Sequence, residues 1–183
     1  MKMLITNLEG QCLFDVSIET QAEGLITLHE GKHKKTDLED YLKGGEIKIE
    51  STDPCEACEK IAEIIKGAKK HGKVFIAFDG RGLGPLLNFV ANHVGVDGIF
   101  TCYKTKVVRI PILTLDLSST KIKILNNLVN RDLTALQIAE NVKISRAMVY
   151  KHIKQLLELG LVDRSKFFEK YTITQSGKLA ITV

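Results

Sequence analysis

The sequence predicts an α/β domain built on a mainly parallel sheet, followed by a smaller α+β domain. Over residues 1–115, short apolar strands alternate with amphipathic helices, a pattern typical of a parallel sheet covered by helices on both faces. Residues 116–183 are mainly helical, and their charge differs. The first part holds 15 Lys and Arg against 16 Asp and Glu, whereas the second holds 11 against 6. This positive excess predicts an anion-binding C-terminal domain.

Six strands are predicted in the first domain. They lie at 3–5, 24–29, 46–50, 74–78, 99–103 and 106–110, and the last two form a hairpin through Lys104 and Thr105. Segment 74–78 is continuously apolar, which indicates a central strand. Residues 11–22 fit neither the helical nor the strand period cleanly, so we favour a short helix there and keep a strand as the alternative.

Local end signals define three helices between these strands. Thr36 to Glu39 forms a capping-box pattern, and this helix is expected to stop at Gly44–Gly45. Asp53–Pro54 places an N-cap residue before a proline at the first helical position. A third helix follows the glycine-rich turn 79–85 and is expected to run to about residue 94.

Polar turns follow two of the strands, at 6–10 and 79–84. Folds of this class bind ligands outside the carboxyl ends of their strands. Gly80, Gly82 and Gly84 would let backbone N–H groups approach an anion, and Arg81 adds a full positive charge. The turn matches neither the dinucleotide-binding GxGxxG pattern nor the P-loop pattern. The alternative is that these glycines only form a tight turn.

The second domain begins with a helix capped by Ser118 or Ser119. Its expected inward residues are Ile122, Leu125, Leu128 and Val129. Thr134 caps the next helix, in which Leu136, Ile138 and Ala139 are expected to face inward. Ser145 caps a third helix, with a buried stripe of Val149, Ile153, Leu156 and Leu157. Two short strands at about 161–164 and 169–174 then form a hairpin.

The third helix has the character of a DNA recognition helix, because short or polar residues at its start can reach base edges and basic residues can neutralise phosphates. The predicted DNA contacts are Thr134, Ser145, Arg146, Ala147, Tyr150, Lys151, Lys154, Arg164, Lys166 and Lys170. The landmarks LTALQIAE, LGLV and YTITQSG over residues 118–178 resemble the winged helix-turn-helix of bacterial and archaeal transcription regulators. Lys143 stands where that family often has glycine. A winged helix used only for protein contacts is the alternative.

The order of segments also resembles a second family. The segments ITNLEG, LITLHEG, EIKIESTDPCEACEKI and FDGRGLGPLLNF are similar to those of archaeal regulators with a CRISPR-associated Rossmann fold (CARF) domain. This resemblance implies a Rossmann-like domain over residues 1–115, a winged helix over 116–183, and a homodimer that binds double-stranded DNA and a cyclic oligoadenylate, typically cyclic tetra-adenylate. It further implies control of CRISPR-Cas genes, with a small anionic nucleotide as effector and no cofactor. The ligand contacts expected from the resemblance and the two turns are Thr6, Asn7, Gly10, Lys32, His33, Asp79, Gly80, Arg81, Gly82 and Gly84.

Two other functions stay open. A redox- or metal-responsive regulator would use Cys55 and Cys58 at a helix N-terminus, where a thiolate is favoured. An enzyme that cleaves its own cyclic nucleotide would need a general base, for which Asp79 and His33 qualify by residue type only. We therefore expect a regulator and not an enzyme.

The composition predicts a cytoplasmic protein. No apolar run reaches the 18 or more residues of a membrane span, and no signal peptide is apparent. In a reducing compartment the four cysteines are not expected to form disulfides.

Overall fold

The computed structural model describes residues 1–31, 37–165 and 169–182, and only the backbone of Lys43. The chain divides into two compact units, Met1–Leu115 and Asp116–Thr182. We call them the sheet unit and the winged unit. Among the described residues, no helix is long and apolar enough to cross a membrane.

The sheet unit contains one six-stranded sheet. Its strands are β1 (Lys2–Thr6), β2 (Gly24–His29), β3 (Lys43–Lys48), β4 (Lys73–Phe78), β5 (Gly98–Tyr103) and β6 (Lys106–Ile110). Their order is β3-β2-β1-β4-β5-β6, and all neighbours are parallel except β5 and β6. The strand order reverses between β1 and β4, and in such sheets the crevice at this reversal is where ligands bind.

Helices cover both faces of this sheet. They are α1 (Gly10–Thr20), α2 (Asp37–Tyr41), α3 (Pro54–Lys69) and α4 (Gly84–Val94). On one face, Leu4, Leu25 and Phe100 pack in a cluster with Leu13 and Val16 of α1. The opposite face of the sheet carries buried isoleucines on β1, β4 and β5. Helices α3 and α4 pack against each other and against β4. The mainly parallel α/β architecture predicted from the sequence is therefore confirmed.

The segment that fitted neither period is a helix, α1, as favoured. The expected helix stop at Gly44–Gly45 is wrong, because both glycines lie inside β3. A Cβ atom on Gly44 would overlap the carbonyl oxygen of Leu25, so the absence of a side chain there serves close strand pairing. The strand expected at 46–50 accordingly begins earlier and ends at Lys48. The capping box at Thr36 lies outside the described residues.

The expectation that no disulfide forms is wrong. Cys12 of α1 and Cys102 of β5 are bonded across 90 residues of sequence, with 6.2 Å between their Cα atoms. Sequence spacing gives no sign of this pair, because the fold alone brings the first turn of α1 to the end of β5.

The winged unit combines four helices with a three-stranded sheet. Its helices are α5 (Ser119–Leu128), α6 (Ala135–Val142), α7 (Arg146–Glu158) and α8 (Gln175–Thr182), and its strands are β7 (Leu133–Thr134), β8 (Val162–Arg164) and β9 (Lys170–Ile173). The sheet order is β7-β9-β8, all antiparallel. Ser118, Thr134 and Ser145 cap α5, α6 and α7 as predicted. The winged helix-turn-helix predicted from the sequence is confirmed.

Some predicted core positions differ. Ile122 and Val129 are each 38% exposed, because the buried stripe of α5 consists of Ile124, Leu125 and Leu128. Leu136 is also exposed, by 49%. Strand β7 and the terminal helix α8 were not predicted.

The turn between α6 and α7 depends on a left-handed residue. Lys143 caps the end of α6 with φ 60° and ψ 49°, a left-handed conformation that glycine adopts more readily than other residues. Its backbone N–H donates to the carbonyl oxygen of Ala139. The small side chain of buried Ala139 lets α6 and α7 pack closely.

Candidate functional site

A cavity of about 220 Å³ lies at the carboxyl ends of β1, β2 and β4. It is lined by Asn7, Leu8, Glu9, Thr27, Leu28, His29, Glu30, Asp79, Arg81, Gly82 and Leu83. Three chain segments contribute: the turn after β1, the end of β2, and the turn between β4 and α4. We call this space the strand-end cavity.

Asn7 joins two of these segments. Its Nδ2 donates to Asp79 Oδ1 at 2.8 Å and to the Arg81 carbonyl oxygen at 3.3 Å, while its Oδ1 accepts from the Asp79 backbone N–H at 3.1 Å. Asp79 Oδ1 also accepts from the Arg81 backbone N–H at 3.0 Å. We call these contacts the Asn7 bridge. The bridge fixes the turn that carries Arg81, so the Asp79 carboxylate has a structural role.

Positive and negative groups alternate around the cavity. Arg81 and the amino end of α4, which has no side-chain cap, supply positive charge. Glu9, Glu30 and Asp79 supply carboxylates. Such a mixture suits a ligand that has both an anionic group and hydrogen-bond donors.

Gly82 brings one of these carboxylates close to the backbone. It adopts φ 48°, and a Cβ atom there would lie 2.5 Å from Glu30 Oε2. A side chain at this position would therefore be strained and would also collide with Glu30.

Four of the predicted ligand residues line the cavity: Asn7, Asp79, Arg81 and Gly82. The other predicted ligand residues that the structure describes, Thr6, Gly10, Gly80 and Gly84, do not line the cavity. Thr6 is fully buried and its Oγ1 accepts from the Leu8 backbone N–H at 2.9 Å, so it shapes the turn after β1.

Three predicted glycines act through the backbone. Gly10 opens α1 with φ 60°, and Gly80 is exposed. Gly84 begins α4, where a Cβ atom would overlap the Asp79 carbonyl oxygen. Lys32 and His33 lie outside the described residues.

The contribution of β2 to the cavity was not predicted from the sequence. Thr27, His29 and Glu30 come from the end of this strand, and Glu9 from the turn after β1. The available signal was the polar end of the strand LITLHEG, since parallel neighbours end at one edge. His29 Nδ1 donates to the Gly31 carbonyl oxygen at 2.7 Å, which orients the ring.

A second hollow, of about 560 Å³, lies between α7 and the hairpin of β8 and β9. It is lined by Thr134, Ala135, Leu136, Arg146, Tyr150, Arg164, Ser165, Glu169, Lys170 and Tyr171. We call it the wing groove. The start of α7 is held by the Ser145 hydroxyl, which accepts from the Met148 backbone N–H at 3.3 Å. Val149, Ile153 and Leu156 anchor the opposite side of α7 in the core.

The wing groove brings together five predicted DNA contacts: Thr134, Arg146, Tyr150, Arg164 and Lys170. The other described ones, Ser145, Ala147, Lys151 and Lys154, are exposed on α7 outside the groove. Lys166 lies outside the described residues. Leu136 and Tyr171 were missed as lining residues. The exposure of Leu136, an apolar residue in an amphipathic helix, becomes apparent only once the groove is formed.

A protein family with a helix-turn-helix matches part of the winged unit. Residues 118–164 match the family described as bacterial regulatory protein, arsR family. The matched residues lie in the winged unit, which is therefore similar to the helix-turn-helix part of DNA-binding transcription regulators. No curated protein matches the chain.

Solved structures of ZitR from Lactococcus lactis are similar to part of the chain. Wild-type ZitR is 33% identical, over 37% of this chain and 49% of ZitR, with a TM-score of 0.34. ZitR in complex with DNA is 30% identical over the same shares, with the same TM-score. A structure described as a zinc-responsive MarR family member, also ZitR, is 31% identical over 38% of this chain and 51% of that chain, with a TM-score of 0.33. The chain thus spans about half the length of the ZitR chains it matches.

Among the described residues, one buried side-chain polar atom has no hydrogen-bond partner. His152 of α7 keeps its Nδ1 away from solvent without a hydrogen bond. Burial lowers the pKa of His152 below its usual value, and the positive charges of Lys121 and Lys151 lower it further. Both effects disfavour the protonated imidazole.

Cys55 and Cys58, the pair considered for redox or metal sensing, differ in exposure: Cys55 is partly exposed and Cys58 is buried. Cys58 is completely buried in α3, and burial raises the pKa of its thiol to about 11. A thiol with so high a pKa is a poor nucleophile near neutral pH. Across the described part of the chain, no three His, Cys, Asp or Glu side chains are grouped as metal ligands would be.

Proposed function

We propose that the chain is a DNA-binding transcription regulator, controlled by a small anionic nucleotide bound in the strand-end cavity, with cyclic tetra-adenylate as the first candidate. The observation that carries this proposal is the position of Arg81 and the amino end of α4 at the strand-order reversal between β1 and β4. Backbone amides at a helix start together with an arginine favour a phosphate. The carboxylates of Glu9 and Glu30 would accept hydrogen bonds from ribose hydroxyls or adenine amino groups.

The size of the cavity favours a homodimer. About 220 Å³ is below the roughly 300–1,000 Å³ typical of pockets for drug-sized ligands. A cyclic oligonucleotide is larger still, and its symmetry matches a site shared by two copies of the chain. On this proposal each copy supplies one strand-end cavity, and the regulated genes are those of a CRISPR-Cas locus.

On the DNA side, α7 would enter the major groove with Arg146 and Tyr150 near the base edges. Arg164 and Lys170 of the β8–β9 hairpin would contact the phosphate backbone. Ser145 and Ala147 at the start of α7 are small enough to allow close approach. Lys151 and Lys154 extend the positive surface along the exposed side of the helix.

Isothermal titration of the full chain with cyclic tetra-adenylate tests the effector, with linear tetra-adenylate as the ligand control. Saturation at one cyclic ligand per two chains is the expected result. Arg81→Ala should abolish the heat of binding. Arg109→Ala is the matched control, because the Arg109 guanidinium donates to the Asp97 carbonyl oxygen away from the strand-end cavity. Equal binding by Arg81→Ala and wild type would refute the assignment of this cavity.

A further inference from the structure

Cys12 and Cys102 come from opposite ends of the sheet unit's sequence and meet at one edge of its sheet. Cys12 lies in the first turn of α1, and Cys102 is the last residue but one of β5. Their Cα atoms are 6.2 Å apart, within the usual range for a disulfide, and the two sulfurs are bonded.

The bond lies next to the strand-end cavity. β4 and β5 are parallel, and Phe78 pairs with Thr101, so Cys102 is level with Asp79 at the carboxyl end of the sheet. The other partner of the disulfide, Cys12, lies three residues after Glu9, and the segment from Asn7 to Glu9 lines the cavity. The disulfide therefore fixes the start of α1, and with it this lining segment, to the end of β5.

The surroundings of the pair suit both oxidation states. Both cysteines are half-buried, so a small thiol can reach them, unlike the completely buried Cys58. The Lys104 carbonyl oxygen lies 3.9 Å from Cys12 Sγ and 3.5 Å from Cys102 Sγ. Each thiol of the reduced form thus has a hydrogen-bond acceptor within reach. Because intracellular disulfides are usually transient or redox-sensing, a bond at this place suggests more than stabilisation.

We propose that Cys12 and Cys102 form a reversible disulfide that orders the start of α1 beside the strand-end cavity when the thiol pool is oxidised. A small external disulfide of the glutathione type is the oxidant. One protein thiolate attacks it, forming a mixed disulfide and releasing one external thiol. The second protein thiolate then attacks the protein sulfur of that mixed disulfide and releases the second external thiol. The two cysteines lose two electrons and two protons, which the external disulfide gains. The proposal holds whichever ligand the cavity takes.

Thiol trapping of the full chain in buffers of defined reduced-to-oxidised glutathione ratio tests reversibility. Mass spectrometry should find four trapped thiols in the most reducing buffer and two in the most oxidising buffer. The oxidised sample should also contain a peptide pair in which Cys12 is linked to Cys102. Cys55→Ser is the matched control and should leave the transition unchanged. Free thiols at positions 12 and 102 under excess oxidant would overturn the proposal. A bond that survives strong reductant in the folded protein would overturn it as well.

Hydrogen exchange of the ligand-free protein tests the effect on the cavity wall. Reduction should make amides of residues 8–14 exchange roughly tenfold faster while those of α3 stay unchanged, since local opening follows local constraints. Cys102→Ser should exchange like the reduced wild type in both buffers. Equal exchange of residues 8–14 in the oxidised and reduced wild type would refute the ordering role.

Discussion

Replacing Asn7 with alanine removes the Asn7 bridge between the ends of β1 and β4. Three hydrogen bonds are lost, with donor–acceptor distances of 2.8, 3.1 and 3.3 Å. At a net value near 0.5–1.5 kcal/mol for each, and with the bridge only partly buried, the loss is about 2 kcal/mol of unfolding free energy. The Arg81 turn also loses its anchor, so effector affinity should fall by at least roughly tenfold, a cost of about 1.4 kcal/mol.

Urea denaturation and isothermal titration measure these two effects separately. Asn92→Ala is the matched control. Asn92 likewise makes three side-chain hydrogen bonds, two to Asn88 and one from the Leu113 backbone N–H, but it lies far along α4 from the cavity. It should cost similar stability and leave effector affinity unchanged. If Asn7→Ala bound the effector as tightly as Asn92→Ala does, the bridge would not organise the site.

Three further predictions concern the DNA surface, acid sensitivity and the edge strand. Arg146→Ala should weaken operator binding by about 1–3 kcal/mol, as measured by fluorescence anisotropy; unchanged affinity would exclude it as a base contact. The fold lowers the pKa of His152 below its usual value of 6.5. As the pH falls through 6.5, the unfolded chain therefore binds more protons than the folded chain, and the winged unit loses stability at acid pH. His152→Gln should make the unfolding free energy, measured by urea titration at several pH values, less dependent on pH. An equally steep pH dependence in this variant would show that His152 is not its source. Gly44→Ala should destabilise the sheet unit by about 1–3 kcal/mol, because the added Cβ would overlap the Leu25 carbonyl oxygen. Gly45→Ala is the control and should be nearly neutral, because its Cβ would meet nothing within 4 Å. Equal melting temperatures of the two variants in thermal denaturation would argue against close pairing of β3.

Features with local causes could be predicted from the sequence. The helix after Asp53–Pro54 begins as expected, because its N-cap and first-turn proline act within a few residues: Asp53 accepts from the Cys55 backbone N–H. The caps at Thr134 and Ser145 are equally local. These signals place the recognition helix and the side of it that is exposed.

Features with distant causes could not be predicted. Gly44 resembles a helix stop until β2 is known to pair beside it. The participation of Glu30 in the cavity depends on the order of strands, and the bond between Cys12 and Cys102 depends on the packing of α1 beside β5 and β6. No spacing rule within the chain encodes these neighbours.

The pairing of β1 with β4 has a consequence for how the protein is made. Asn7 and Asp79 are 72 residues apart, so the strand-end cavity cannot close until β4 has left the ribosome. At synthesis rates of roughly 5–20 residues per second, this interval lasts about 4–15 s. Throughout it, one edge of β1, with its apolar segment Met3–Ile5, lacks its final partner. Nascent chains with such an edge are prone to association, so β1 is the segment that a ribosome-bound chaperone would need to shield first.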